Sequence, residues 1–92
     1  MTDRMKDKVA IITGGASGIG KAACRLLAQE GAKLIVADLQ TEKAEDVAEE
    51  CGGEAWLLDV AKEEAWSDLT RHRLETYGKL DVLVNCAGIF HR

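Results

Sequence analysis

The sequence predicts an α/β fold in which four parallel strands alternate with three helices, in the order β-α-β-α-β-α-β. Three observations carry that prediction. Short apolar runs without polar alternation, residues 9–12 being the clearest, suit strands covered on both faces. Between them lie stretches whose apolar residues recur at helical spacing, each closed by a glycine at Gly31, Gly52 or Gly78. The glycine-rich and acidic residues that suit a ligand site all follow predicted strands, and open α/β sheets bind ligands at the carboxyl ends of their strands.

The first strand is predicted over residues 9–13, and it runs into T-G-G-A-S-G-I-G at residues 13–20, a strand-turn-helix joint. Glycine at Gly14, Gly18 and Gly20 removes Cβ where the backbone turns sharply, where a bulky anion must approach the main chain, and where a helix must lie close. The helix that follows presents unpaired N–H groups and a positive dipole end of roughly half an elementary charge, so the joint suits a phosphate. In this first helix Ile19, Ala23, Leu26 and Leu27 read as the apolar stripe, ending at Glu30 and Gly31. The second strand is predicted over residues 34–37, with Asp38 at its carboxyl end.

A second helix enters at Thr41, turns Ala44, Val47, Ala48 and Cys51 inward, and breaks at Gly52 and Gly53. The third strand is predicted over residues 55–58 and ends in Asp59 and Val60. The third helix, residues 62–77, places Trp66, Leu69 and Tyr77 on one face, which Arg73 interrupts. The fourth strand, residues 80–84, carries Asn85, Cys86, Ala87 and Gly88 at its tip. This is the first half of a doubly wound, Rossmann-like fold. Right-handed crossovers then predict the strand order 3-2-1-4, with the first two helices on one face and the third alone on the other. One helix must cover a face four strands wide, and the fourth strand becomes an apolar edge open to aggregation or to pairing with another chain.

Composition excludes several functions. Ninety-two residues make at most one domain, and a chain of that size buries only about 60 to 65% of its unfolded surface. A formal charge of -4 gives no electrostatic reason to expect nucleic acid or an anionic membrane as partner. The charged start leads into an apolar run too short for a signal core or a membrane span, so a cytoplasmic protein is expected. Cys24, Cys51 and Cys86 are odd in number and widely spaced, and the histidines are only His72 and His91. Free thiols are expected, and no metal site.

Two phosphate-binding patterns overlap at the first joint. Residues 15–21 spell G-x-x-x-x-G-K, the nucleoside-triphosphate loop, but Ala22 stands where that loop needs a hydroxyl to hold magnesium. Read from Gly14 the spacing is G-x-x-x-G-x-G after Thr13, and three further features stand in register with it: Asp38, Asp59 with Val60, and N-C-A-G at residues 85–88. Together these resemble the amino-terminal half of a short-chain dehydrogenase/reductase over essentially the whole chain.

The resemblance implies roles for particular residues. Gly14, Ser17, Gly18, Ile19 and Gly20 would pack against the pyrophosphate and adenosine half of a dinucleotide. Asp38 would accept hydrogen bonds from the adenine-ribose hydroxyls, with Leu39 beside it. A carboxylate there repels a 2′-phosphate, and neither Ala16 nor Leu39 offers a basic group to welcome one, so NAD is expected over NADP. Asp59 and the Val60 main chain would meet the adenine, although Asp59 could instead cap the next helix. Asn85, Ala87 and Gly88 would lie along the cofactor, with Cys86 replacing the second Asn of that family's tip.

The family's catalytic Asn, Ser and Tyr-x-x-x-Lys have no match. Tyr77 is followed by Gly78, Lys79, Leu80 and Asp81, so no catalytic residue is assigned. His72 is expected at the surface, and nothing supports a role for His91 or Arg92. The chain is thus expected to be the cofactor-binding half of a truncated domain whose catalytic half is absent. The resemblance implies a longer parent, a homo-oligomer moving hydride between NAD and an alcohol or ketone. The competing expectation is a non-catalytic nucleotide-binding or interaction module.

Overall fold

Five consecutive residues without a polar face to turn toward water, Val9–Thr13, form the interior strand β1 in the computed structural model, buried along their whole length. The structure describes residues 6–15, 18–59 and 61–86. After β1 come α1 (Gly18–Gln29), β2 (Lys33–Asp38), α2 (Thr41–Cys51), β3 (Glu54–Leu57), α3 (Glu63–Tyr77) and β4 (Val82–Asn85). All pairings are parallel and the order is β3-β2-β1-β4, as the handedness of the crossovers requires. The limits of β1 are those expected from the sequence, and those of the other three strands differ by one or two residues. The largest difference is at β4, where Leu80 lies outside the strand and Asp81 acts as a clamp. Its carboxylate accepts from the Val9 amide at 2.9 Å while its own amide donates to the Val9 carbonyl at 2.9 Å. That backbone bond, with help from Lys79 at 3.3 Å, holds the Asp81 carboxyl below the usual range.

The helices divide between the faces as predicted. On one face Cys24 of α1 and Ala44, Val47 and Ala48 of α2 pack on Ala10, Ile12, Leu34 and Val36. On the other, Leu69 of α3 packs on Ile11, Ile35, Ala37 and Leu58, with Trp56, Trp66 and Tyr77 half-buried around it. Arg73 does interrupt that face: its Nε is buried with no hydrogen-bond partner among the described residues. On β4, Val82 and Val84 point toward the first face, and Leu83 is left 51% exposed.

Two expectations about helix faces are corrected. Ile19 and Leu26 of α1 are exposed, and the buried positions are Gly20 and Cys24, with Leu27 and Ala28 half-buried. The true stripe starts from Gly20, which has no side chain to signal hydrophobicity, so the neighbouring branched residue drew the reading one position around the helix. His72 is half-buried and not simply at the surface. Its ring stacks on Trp56 at 4.3 Å, and its Nε2 lies 2.8 Å from Glu54. The same Glu54 oxygen accepts from the Tyr77 hydroxyl at 2.9 Å. Burial first, and then this bond to a carboxylate, push the Tyr77 phenol up to about 12.

Candidate functional site

The carboxyl ends of the strands lie side by side, because the parallel register sets Thr13 opposite both Ala37 and Asn85, and Asp38 opposite Leu57. The glycine joint folds over this end. Gly14 leaves β1 with φ 69° and donates its amide to the Ala37 carbonyl at 2.8 Å. Gly18 opens α1 with φ 58°, and a Cβ there would meet nothing within 4 Å. At Gly20 the constraint is proximity: a Cβ would stand 2.1 Å from the Gly14 carbonyl oxygen, so α1 is seated directly on the turn. Gly14 and Gly18 thus serve through backbone conformation and Gly20 through close approach. Ser17 lies outside the described residues.

One strand over, Asp38 is half-buried at the end of β2, and its Oδ1 accepts from the Gln40 amide at 2.9 Å. That local turn orients the carboxylate. Leu39 beside it is 59% exposed and Ile19 in the first turn of α1 is 52% exposed, so both leave apolar surface at the carboxyl end. Asp59 follows β3, and its Oδ1 accepts from the Ala61 amide at 3.0 Å. The N-cap of α3 is Lys62, which makes no side-chain capping bond, so Asp59 shapes the connecting turn and does not cap the helix. Val60 lies outside the described residues.

Thr13 is fully buried, and its hydroxyl donates to Asn85 Oδ1 at 2.8 Å, with the Val84 carbonyl more distant at 3.4 Å. With its oxygen held this way, the Asn85 amide turns its NH2 away from Thr13. Cys86 is buried and its amide donates to the Thr13 carbonyl at 3.0 Å, continuing the pairing of β4 with β1 one residue past the strand. It holds the end of the sheet together through its main chain. Ala87 and Gly88 lie outside the described residues.

The side-chain role of Thr13 and the anchoring carbonyl of Ala37 were not read from the sequence. The parallel register of adjacent strands is the signal that brings both to the glycine turn. The polar group of Glu54, His72 and Tyr77 stands at the amino end of β3, the opposite end of the sheet from the glycine turn. No group of three or more His, Cys, Asp or Glu among the described residues could hold a metal ion. Among those residues no helix is long and apolar enough to cross a membrane. Cys24, Cys51 and Cys86 are free thiols.

Comparison with known proteins places these features in a family context. The family model for short chain dehydrogenases matches residues 8–92. A mitochondrial borneol dehydrogenase from Lavandula x intermedia is 44% identical over 86 residues, covering 94% of this chain and 33% of the relative. A crystal structure titled ribose-5-phosphate isomerase, from Brucella melitensis, superposes with a TM-score of 0.94 at 39% identity, over 100% of this chain and 36% of that one. A 3-ketoacyl-(acyl-carrier-protein) reductase from the same organism, complexed with NADH, superposes with a TM-score of 0.82 at 34% identity, over 86% of this chain and 33% of that one. The chain thus spans about a third of the length of the proteins it matches.

Proposed function

The chain belongs to the short chain dehydrogenase family, and from that premise we propose that it carries the dinucleotide-binding portion of an oxidoreductase that moves hydride between NAD and an alcohol or ketone. The observation that carries this reading is the glycine turn, on which α1 is seated at the Gly14 to Gly20 contact and in which Gly18 leaves free space, with a carboxylate on the next strand. The NADH in one structural relative supports it. When bound, the nicotinamide supplies the hydride acceptor or donor.

The remaining roles belong to the residues of this chain. The main-chain amides of the turn and of the first turn of α1 bind the diphosphate, where the helix dipole adds to their attraction. The Asp38 carboxylate, oriented by the Gln40 amide, accepts from the ribose hydroxyls and repels a 2′-phosphate, which selects NAD. Asp59, with Val60 after it, faces the adenine. Asn85, held by Thr13, lines the crevice at the tip of β4, and Ala87 and Gly88 are assigned to the cofactor from the sequence motif alone. The proton donor is no residue of these: Tyr77, with its phenol raised and bonded to Glu54, sits at the other end of the sheet.

Calorimetric titration of NAD and NADP against the wild type and Asp38→Ala tests the assignment. The wild type is expected to prefer NAD by about tenfold or more, and the variant to lose that preference. Equal wild-type affinity for the two would refute the ribose role of Asp38.

A further inference from the structure

Two helices share the first face of the sheet, and a charged clasp joins them. Arg25 of α1 donates twice to Glu50 of α2, from Nε to Oε2 at 2.6 Å and from a terminal nitrogen to Oε1 at 3.2 Å. Cys24 precedes Arg25 and Cys51 follows Glu50, so each helix carries a thiol next to the clasp. Both thiols belong to one apolar cluster, Cys24 as a fully buried member and Cys51 packed against it. Burial first, and then the charge of a Cys51 thiolate, push the Cys24 thiol up to about 12, so the two sulfurs stand within electrostatic reach of each other. Their surroundings differ. Cys51 is half-buried and, with Arg25, Ala28, Gln29 and Glu50, lines an open cleft of about 340 Å³. Cys24 has no exposed surface, and its Sγ lies 4.0 Å from the Gly15 carbonyl, a weak thiol hydrogen bond.

We propose that Cys51 and Cys24 form an exchangeable thiol pair, with Cys51 as the entry point for a low-molecular-weight disulfide and Cys24 as the group that resolves it. In the first step the Cys51 thiol gives up its proton, and its sulfur attacks one sulfur of the incoming disulfide. The bond between the two small sulfurs breaks, a mixed disulfide forms on Cys51, and one small thiolate leaves and takes up a proton. In the second step Cys24, deprotonated in turn, attacks the Cys51 sulfur, and the second small thiolate departs and is protonated. Two protein thiols are thereby oxidised to one disulfide, and the small disulfide is reduced to two thiols. The bridge fastens α1 to α2 beside the clasp and restricts the unfolded chain, which stabilises the fold. Burial first, then the Glu50 carboxylate, also raise the Cys51 thiol, against the pull of Arg25. Thiolate is therefore scarce at neutral pH, where the pair oxidises slowly. None of this depends on a bound dinucleotide.

The test exposes the purified protein to glutathione disulfide, in native buffer and in urea, from about pH 7 to about pH 9, and maps the disulfides of the digest by mass spectrometry. The wild type is expected to gain an intramolecular bridge between Cys24 and Cys51 in native buffer, formed about tenfold faster for each pH unit. Oxidised protein is expected to unfold at higher urea than reduced protein, and dithiothreitol to abolish the difference. Cys86→Ala is expected to behave as the wild type does. Cys24→Ala should stop at the mixed disulfide on Cys51, and Cys51→Ala should take up no glutathione in native buffer. Should Cys24→Ala fail to fold, Cys51→Ala carries the test, since its change is made at a half-buried position. No bridge at about pH 9, a mixed disulfide that persists on Cys51 of the wild type, a bridge that includes Cys86, or a bridge formed only in urea overturns the proposal.

Discussion

On one face of the sheet, α1 and α2 press Cys24, Ala44, Val47 and Ala48 onto Ala10, Ile12, Leu34 and Val36, whereas on the other α3 contributes one fully buried side chain, Leu69. The first contact is made largely by small residues, so the helices approach closely and leave little slack at the turn where β1 becomes α1. The second is completed by half-exposed polar groups, with Glu54 accepting from His72 and Tyr77 and with Trp56 stacked on the His72 ring. Beyond them Leu74 and Leu83 stay 57% and 51% exposed. The difference separates two jobs. Close apposition on the first face fixes the geometry of the candidate site, and the second face adds stability without touching it.

Gly20→Ala should break this division most severely, because its Cβ would meet the Gly14 carbonyl at 2.1 Å and backbone cannot step aside. A loss of about 4 kcal/mol or more in urea denaturation is expected, along with loss of NAD binding. A variant of wild-type stability would show that the turn is looser than the contact implies. Leu69→Ala tests the other face, where a cavity cost of about 3 kcal/mol is expected. Hydrogen exchange should show α3 losing protection before α1, and the molecules that remain folded should still bind NAD with wild-type affinity. Weaker binding by that folded population would mean that the two faces are coupled.

The smallest effects are in pH dependence, where each face contributes one group. Burial first, then the neighbouring thiols Cys51 and Cys86, push Cys24 up from 9.0 to about 12 on the first face. On the second face, Tyr77 is pushed up from 10.0 to about 12. In both cases the folded value lies above the unfolded one. The stabilisation is therefore complete below the unfolded value and declines as pH rises, from 9.0 toward about 12 for Cys24 and from 10.0 toward about 12 for Tyr77. Asp81, lowered by its Val9 bond, acts in the opposite sense, its contribution being lost as pH falls through the lowered value. In denaturation curves taken across alkaline pH, Cys24→Ala and Tyr77→Phe should each flatten part of the decline. A decline left unchanged by both would place its origin elsewhere.

Much of the architecture was legible before any coordinates. The run of residues 9–12, the glycine breaks and the helical spacings are local patterns. The hand of a crossover is the same for any right-twisted strand, so the order 3-2-1-4 followed from them. The positions of Gly14, Gly18, Gly20, Asp38, Asp59 and Asn85 at strand ends followed as well, because a strand's carboxyl end is simply where its apolar run stops. What sequence reasoning misplaced has a common cause. Ile19 and Leu26 were assigned inward because Gly20 contributes no hydrophobic signal. His72 reads as a surface residue because its partners Glu54 and Trp56 lie on β3, well separated from α3 in the sequence.

By itself, then, the sequence determined the order of elements, the family and which residues stand at the carboxyl end of the sheet, since each of these depends on patterns only a few residues long. Only the tertiary structure decided that Asp59 forms a turn and not a cap, that Thr13 holds Asn85, and that Gly15 is closed from beneath by Val36 and Cys24. Those are distances between atoms brought together from separate strands and helices. An error of half an ångström in packing would reverse them, and no local pattern encodes a separation that fine.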